Sequence, residues 1–282
     1  MKSTQFFSRA CIQGNLLTRP MMLVVVAVCF SNIGTSVAKA VGTLPRVLVD
    51  GRQVPEIEWD TTVNRFRYDN DKFIGQRLTV HCPPLPPGTD LKGLYGTDRY
   101  PSESSICIAA LHAGKITTDG GLVTIQINPG QSEYKGSERN GVKSSSLPGT
   151  SRSIAFIDKK VSKEDQAIME KHAQRIQWDT RFTRTGLAYR DLIGQRFTFR
   201  VPAAPANLRP RLVYGTDQYD FSSMIAPAAK HAGVITEKGG LVTLEINEGV
   251  TKLVGSIRND VETSSKGRCD RSITFVKSGE TK

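Results

Sequence analysis

An aspartate, a serine and a histidine recur together in this chain, and these are the side chains of a hydrolytic triad. They occur twice in the same order, as Asp98, Ser104 and His112 and as Asp217, Ser223 and His231. In a triad the histidine lies within hydrogen-bond reach of the serine, because it removes the serine proton. Here the serine begins a predicted helix of about eight residues and the histidine ends it, a separation of about 12 Å. We therefore expect no catalytic residues.

The same residues have structural interpretations. The serine is a predicted helix N-cap. His112 and His231 fall in the final helical turn, where a partly buried imidazole can satisfy terminal carbonyl groups. Asp98 and Asp217 follow Tyr-Gly-Thr in predicted turns, where an aspartate side chain typically bonds to nearby backbone amides.

Two polar loops are better candidates for binding. One contains Arg139 and Asn140, and the other contains Arg258 and Asn259. Arginine and asparagine can donate charge-assisted hydrogen bonds to phosphate or carboxylate groups. The alternative is that both loops are merely braced by bonds from serine and asparagine to the backbone.

Neighbouring charges distinguish the two loops. Lys135 and Lys143 lie near Arg139, whereas Val254 and Glu262 stand at the matching positions near the second arginine. The sequence therefore predicts that the first loop binds anions more strongly. No metal site or cofactor is expected, because the four histidines and the cysteines lack the close paired spacing of a zinc site and no phosphate-binding glycine loop is present.

These paired residues belong to a duplication that covers most of the chain. Residues 57–156 reappear without insertion or deletion as residues 176–275, so that Trp59 matches Trp178 at an offset of 119 positions. A repeat of this length indicates two copies of a whole domain, because solenoid repeats have periods of about 20 to 50 residues.

Each copy is predicted to contain strands around one short helix. Residues 76–81 and 122–127 have the patterns of β-strands, and their counterparts in the second copy share them. A serine-led, alanine-rich run that ends in glycine predicts a buried helix within residues 104–114. Pro227 places the start of the second helix near residues 224–226, because proline is tolerated only in the first turn. The fold class is therefore α+β, with two tandem copies of a compact domain.

The duplication divides the chain into segments. The predicted segments are a signal peptide at 1–40, an N-terminal segment at 41–56, the first domain at 57–157, a charged linker helix at 158–175, the second domain at 176–276 and a C-terminal tail at 277–282. We expect the linker helix to set the distance between the domains.

The N-terminus has the pattern of an export signal. Basic residues precede an apolar run at 21–30, and Ala38 and Ala40 stand at the two positions that a signal peptidase recognises. The run is about half the length that a membrane span requires. Cleavage after Ala40 would remove four basic residues and lower the net charge from +11 to +7. We expect a secreted, periplasmic or extracellular protein with no transmembrane segment after cleavage.

The remaining cysteines predict one disulfide bond. Cys82 and Cys107 correspond to Val201 and Ala226, so both are replaced by apolar residues in the second copy. Because both cysteines are absent from the second copy, we predict that the two sulfurs bond to each other. Such a bond would stabilise the fold by roughly 3 kcal/mol, because it restricts the unfolded chain. Cys269 is left as an odd thiol, which either joins two protomers or is free; we favour a free thiol.

The stretch YGTDRYPSESSICIAALHAGKI, followed by GGLVTIQINPGQSEYKGSERNGVKSSS, resembles the LCCL domain, and the second copy carries the same pattern. The resemblance implies a central helix wrapped by antiparallel β-strands, extracellular use, a disulfide at the helix cysteine and no established enzymatic reaction. Family members commonly carry four cysteines in two bridges. This chain departs from that pattern in both copies.

Resemblance and charge together suggest a function. The resemblance implies lipopolysaccharide or another glycan as ligand, and a basic chain favours anionic partners at long range. We expect an exported, non-enzymatic protein that binds an anionic glycolipid or polysaccharide, with no nucleic-acid partner. The alternative is a structural module that binds protein in an envelope or extracellular assembly.

Overall fold

The computed structural model describes residues 44–66, 68, 70–158, 162–187, 192–206 and 212–276. The predicted signal peptide and the C-terminal tail lie outside these residues. Both copies belong to one compact unit, Val41–Lys282. No described helix has the length and apolar character needed to cross a membrane.

An N-terminal hairpin precedes the first copy, and ten further elements build that copy around one α-helix. The hairpin strands are β1 (Arg46–Val49) and β2 (Arg52–Pro55). The strands of the copy are β3 (Arg77–Cys82), β4 (Tyr100–Pro101), β5 (Gly121–Pro129), β6 (Glu133–Tyr134), β7 (Glu138–Arg139), β8 (Val142–Lys143), β9 (Leu147–Pro148) and β10 (Arg152–Phe156). The helix is α1 (Ile106–His112), and 3-10 turns cover Val63–Phe66 and Asp71–Phe73.

The linker contains α2 (Lys163–His172), and the second copy repeats the pattern of the first. Its strands are β11 (Gln174–Arg175), β12 (Arg196–Val201), β13 (Gly215–Thr216), β14 (Gln218–Asp220), β15 (Gly240–Glu248), β16 (Ile257–Arg258), β17 (Val261–Glu262) and β18 (Arg271–Val276). Its helix is α3 (Ile225–His231), and a 3-10 turn covers Phe182–Arg184. These elements confirm the α+β fold class and the central helix wrapped by mostly antiparallel strands.

Each short helix is the centre of its copy. All seven residues of α1 are buried, and the side chain of Ser105 accepts a hydrogen bond from the backbone of Ile108. Ser105 is therefore the N-cap. Ser104, the predicted cap, instead exchanges hydrogen bonds with the backbone of Tyr95. The second helix begins within the predicted interval, with Pro227 in its first turn.

The two copies share one continuous sheet. Its strand order is β13-β14-β18-β15-β12-β3-β5-β10-β4, and β3 meets β12 antiparallel at the pair Arg77 and Arg196. Only this one residue pair joins the two strands, so side chains complete the junction.

Two equivalent glutamines supply those side chains. Gln76 donates to the Thr198 carbonyl at 3.0 Å and accepts from the Thr198 amide at 2.9 Å. Gln195 bonds in the same way to the amide and carbonyl of Thr79, both at 2.9 Å. Both glutamines are buried. The copies are thus related by a local twofold arrangement in which each supplies the other's missing backbone partner.

The segments before the two copies contribute to the same junction. A Cβ on Gly75 would lie 3.0 Å from the Met169 Cα in α2, and a Cβ on Gly194 would lie 2.2 Å from the Gln53 carbonyl in β2. Both glycines have positive φ, so both close approach and backbone conformation require glycine. The linker helix therefore packs into the junction and does not simply space the domains.

The cysteines pair as predicted. Cys82 at the end of β3 bonds to Cys107 in α1, which ties the sheet to the helix. In the second copy, Val201 and Ala226 are buried at the same positions. Cys269 is a buried free thiol.

The junction makes a testable contribution to stability. Replacing Gln76 with Leu would leave both the amide and the carbonyl of Thr198 without partners in a buried setting, and each such group costs about 1 to 3 kcal/mol. We expect the free energy of unfolding, measured by urea denaturation, to fall by at least about 2 kcal/mol. Gln166→Leu is the control, because the Gln166 side chain bonds to Glu170 within α2. A loss no greater than that of the control would contradict this account of the junction.

Candidate functional site

The predicted binding loop of the first copy is a tight β-hairpin formed by β7 and β8. Its two central residues, Asn140 and Gly141, have φ angles of 49° and 73°, the left-handed conformation that a two-residue hairpin turn requires. The second copy has the same turn at Asn259 and Asp260, with φ angles of 49° and 58°. We call Lys135, Arg139, Asn140 and Lys143 the hairpin site, and Arg258 and Asn259 are its counterparts.

The asparagine of each hairpin caps a helix. Asn140 Nδ2 donates to the His112 carbonyl at 3.0 Å, and Asn259 Nδ2 donates to the His231 carbonyl at 3.0 Å. The C-terminal carbonyls of a helix lack partners within the helix, so this bond satisfies one of them. The asparagine therefore positions the hairpin against the helix, as the alternative interpretation of the loops proposed.

The arginine of each hairpin pairs with the turn aspartate. Arg139 Nη1 lies 2.7 Å from Asp98 Oδ1, and Arg258 Nη1 lies 2.7 Å from Asp217 Oδ1. Both aspartates have a φ angle of 61°, which agrees with their predicted place in turns. Their carboxylates bond to arginine, however, where the sequence predicted bonds to backbone amides. The Arg139 and Asp98 side chains are 46% and 69% exposed, so solvent weakens this ion pair.

Two lysines near the first hairpin have no basic counterparts near the second. Lys135 and Lys143 are exposed and make no ion pair with other described side chains. At the matching positions, Val254 is 59% exposed and Glu262 is also exposed. At these two positions the first copy carries accessible cations, whereas the second carries an apolar side chain and a carboxylate. Across from Lys143 the first hairpin also carries the exposed carboxylate of Glu138, where the second has Ile257.

A buried histidine lies beneath each hairpin. His112 Nδ1 lies 2.9 Å from the Tyr100 hydroxyl, and His112 Nε2 lies 3.2 Å from Ser137 Oγ. Ser137 Oγ in turn lies 2.7 Å from Thr97 Oγ1, which donates to the Lys135 carbonyl at 2.9 Å. The chain of bonds therefore runs from the helix end to the hairpin.

The second copy repeats this network. Tyr219, His231, Ser256 and Thr216 make the equivalent contacts at 2.8, 3.1 and 2.7 Å. The side-chain partners of the histidines are thus a tyrosine and a serine, and not the terminal carbonyls that the sequence suggested. Sequence reasoning missed these partners, although the two copies keep every one of them.

The network holds a neutral imidazole. Burial lowers the pKa of His112 and His231 and raises the pKa of Tyr100 and Tyr219 to about 12. A protonated tyrosine donates to Nδ1, and Nε2–H donates towards the serine. Protonation of Nδ1 would remove the acceptor to which the tyrosine hydroxyl donates. The tyrosine is fully buried, so its hydroxyl could not donate to solvent instead. The imidazole therefore acts as a structural link.

The side chains considered above for a hydrolytic triad are not brought together. Ser104 and Ser223 bond to the backbone of Tyr95 and Tyr214 at the opposite end of the helix from the histidine. In the described ranges, no group of three or more His, Cys, Asp or Glu side chains is arranged to hold a metal ion.

Comparison with known proteins identifies the repeated domain. The family model of the LCCL domain matches residues 57–154 and 176–273. The chain belongs to the LCCL domain family. The hairpin site, the buried histidine and the disulfide all lie within matched LCCL residues.

Curated relatives share these LCCL domains as parts of longer chains. Human vitrin is 37% identical over 110 residues, which are 39% of this chain and 15% of vitrin. Clotting factor C of Tachypleus tridentatus is 36% identical over 104 residues, which are 36% of this chain and 9% of that protein. The human cysteine-rich secretory protein LCCL domain-containing 2 is 35% identical over 179 residues, 62% of this chain and 33% of the relative. The chain thus spans a third or less of the length of these relatives.

The buried histidines predict a specific dependence of LCCL stability on pH. Because folding lowers their pKa, the unfolded chain binds more protons near its ordinary histidine pKa of about 6.5. Stability is therefore fully present above that pH and falls as the pH drops through it, by up to about 1.4 kcal/mol per pH unit for each imidazole.

Urea denaturation between pH 8 and pH 5 measures this slope. We expect His112→Gln to reduce this slope more than the control variant His172→Gln, because His172 is half-exposed in the last turn of α2. Equal slopes in the wild type and in His112→Gln would contradict the assignment of a buried neutral imidazole.

Proposed function

We propose that this protein is exported, acts without enzymatic chemistry and binds an anionic glycolipid or polysaccharide through the hairpin site of the first copy. The observation that carries the proposal is the pair of exposed lysines, Lys143 on a fixed hairpin and Lys135 just before it, near an arginine whose ion pair is open to solvent. The predicted signal peptide, the disulfide and the net charge of +7 expected after cleavage support export and attraction of anions.

The hairpin suits recognition because its backbone is already positioned. Asn140 anchors the turn to α1, and Thr97 anchors the segment between β6 and β7 through the Lys135 carbonyl. A ligand therefore does not have to order the loop, which reduces the entropic cost of binding.

Arg139 remains available to a ligand although it pairs with Asp98. An ion pair between exposed side chains is worth about 0 to 1 kcal/mol, so a phosphate or carboxylate on the ligand can replace the aspartate at little cost. Once Asp98 is displaced, Arg139, Lys135 and Lys143 present three positive charges, of which the Glu138 carboxylate across from Lys143 offsets one.

The alternative function, a module that binds an extracellular protein, is favoured by the second hairpin. Val254 and Ile257 are 59% and 73% exposed there. Exposed apolar side chains are typical of protein contacts when they form larger patches. Two side chains make a small patch, so we favour anion binding.

Exchange of residues between the copies tests the anion site. In the variant Lys135→Val, Lys143→Glu, the first hairpin carries the side chains of the second, which the same backbone already accommodates. Each basic residue near an anionic surface contributes about 1 kcal/mol, so we expect binding to vesicles that contain lipopolysaccharide to weaken roughly 30-fold.

The reciprocal variant Val254→Lys, Glu262→Lys is the matched control and is expected to strengthen binding. Affinity is measured by vesicle co-sedimentation of the unit Val41–Lys282 across a salt series, and salt should weaken it. Unchanged affinity in the first variant would refute the site. Binding to protein-coated surfaces alone would favour the alternative function.

The ion pair itself generates a second prediction. Asp98→Asn removes the negative charge that competes with the ligand for Arg139, and asparagine tolerates the left-handed conformation of this position. We expect this variant to bind the same vesicles more tightly, by about 3- to 10-fold for roughly 1 kcal/mol. Asp217→Asn in the second copy is the control and should change the affinity less. Weaker binding by Asp98→Asn would show that Arg139 needs its aspartate for orientation.

A further inference from the structure

A row of polar side chains lies between α2 and the sheet of the first copy. Arg77 of β3 and Gln126 of β5 are paired across the strands, and Asn128 lies two residues further along, on the same face of β5. Gln126 and Asn128 are 0% and 1% exposed. The first turn of α2 covers them, because the Asp165 carbonyl accepts a hydrogen bond from Gln126. Buried polar groups normally have hydrogen-bond partners, so each group in this row has to be accounted for.

Hydrogen bonds fix the orientation of both amides. Arg77 Nε donates to Gln126 Oε1 at 3.1 Å. Gln126 Nε2 donates to the Asp165 carbonyl at 2.9 Å and to Asn128 Oδ1 at 3.0 Å. Because Gln126 accepts a bond on one side and donates bonds on the other, its oxygen and nitrogen cannot be exchanged. Asn128 must then present its oxygen to Gln126, so its Nδ2 is directed away from that amide.

Two donors in this row have no acceptor. Asn128 Nδ2 and Arg77 Nη2 are both buried, and neither has a hydrogen-bond partner among the described residues. Each belongs to a side chain that is bonded to Gln126, one on either side of it. A buried donor without a partner is costly, because it has lost its bonds to water and gained nothing in return. Two such donors beside one amide indicate an acceptor that the chain itself does not supply.

The second copy supplies these acceptors from its own side chains. Arg196 Nε donates to the Glu245 carboxylate at 2.7 Å, and Asn247 Nδ2 donates to Thr274 Oγ1 at 2.9 Å. None of the described buried nitrogens of Arg196 or Asn247 lacks a partner. The first copy has a neutral glutamine and an alanine at the positions of Glu245 and Thr274. It has therefore kept both donors and lost both a negative charge and a hydroxyl group.

Charge is also incompletely balanced beneath α2. Asp165 Oδ1 lies 3.3 Å from Arg99 Nη2, and the same carboxylate is the negative charge that acts on Arg77. One largely buried carboxylate thus serves two guanidinium groups. Glu164 also pairs with Arg99, but its side chain is 74% exposed, so solvent weakens its contribution. Burial lowers the pKa of Arg77, and the charge of Asp165 does not fully oppose this effect.

We propose that a halide ion, chloride, binds beneath α2 against Arg77 Nη2 and Asn128 Nδ2. A halide accepts hydrogen bonds and donates none, which matches two donors without acceptors. A water molecule would bring two further donors to the same place. The single negative charge of the ion balances the guanidinium of Arg77, as the Glu245 carboxylate does for Arg196 in the second copy. The ion has to be small, because the amides beside it are at most 1% exposed.

A halide at this position fastens the linker helix to the first copy. The donors belong to β3 and β5, and Asp165 of α2 lies against the same row. In the unfolded chain these groups are no longer together, so the ion binds the folded state and stabilises it. The site is buried and separate from the exposed hairpin site, so the inference does not rest on the proposed function.

Thermal unfolding of the unit Val41–Lys282 in mixtures of sodium chloride and sodium gluconate, at constant ionic strength, tests this site. Gluconate is too large to lie beneath α2, so exchange of the two anions changes the supply of the ligand without changing the screening of charges. We expect the midpoint temperature to rise with chloride and to reach a plateau, and bromide to act in the same way. A midpoint that does not respond to either halide would overturn the proposal.

Two variants locate the response. Asn128→Asp keeps the oxygen that accepts from Gln126, removes the unpartnered donor and adds a carboxylate to the row, so the chloride-dependent shift should be lost. Ala155→Thr introduces the hydroxyl that Asn247 uses in the second copy and should reduce the shift, which keeps the test decisive if the aspartate variant does not fold.

Asn247→Asp is the matched control. Its Nδ2 already has a partner in Thr274, so this variant should keep the chloride-dependent shift of the wild type, whatever its midpoint in gluconate. A shift in Asn128→Asp or Ala155→Thr equal to that of the control would overturn the proposal. Chloride should stabilise the fold here, whereas salt should weaken vesicle binding at the hairpin site, so either proposal can fail alone.

Discussion

The exchange of backbone hydrogen bonds through Gln76 and Gln195 is the interaction on which the rest of the molecule depends. Strands β3 and β12 share a single residue pair, so without the glutamines the edges of both sheets would leave buried amides and carbonyls unsatisfied. With them, two domains become one sheet. The α1 and α3 helices are then held in one frame, which is why the hairpins that cap them occupy fixed positions.

Charge at this junction explains why the linker helix has to be part of it. Arg77 and Arg196 are the single residue pair that joins β3 to β12. Burial and the nearby positive charge of Arg196 lower the pKa of Arg77. Arg196 is compensated by Glu245 at 2.7 Å, but Arg77 meets the neutral Gln126. Asp165 in α2 supplies the opposing negative charge. If two first copies were joined in the same way, their two Arg77 side chains would therefore lie together without a counter-charge.

Local patterns and the internal duplication were enough to predict the elements and the disulfide. Alternation placed β3 and β12 to within one residue, and the joint replacement of Cys82 and Cys107 revealed their bond. Contacts between residues distant in the sequence were not predictable in the same way. Arg139 and Asp98 are 41 positions apart, and neither period nor spacing indicates that they meet. The glutamines at the junction looked like ordinary polar residues at the start of a strand.

The duplication determines which positions of the chain tolerate substitution. Core and junction residues have partners in both copies, so a change such as the loss of one cysteine requires a matching change elsewhere. Residues at the hairpin turns face solvent, so their exchange costs little stability. The differences there include two lysines near the first hairpin and an exposed apolar pair on the second. A shared scaffold with divergent surfaces is what two fused domains need if they are to contact different parts of one ligand, since a rigid connection makes the second contact intramolecular.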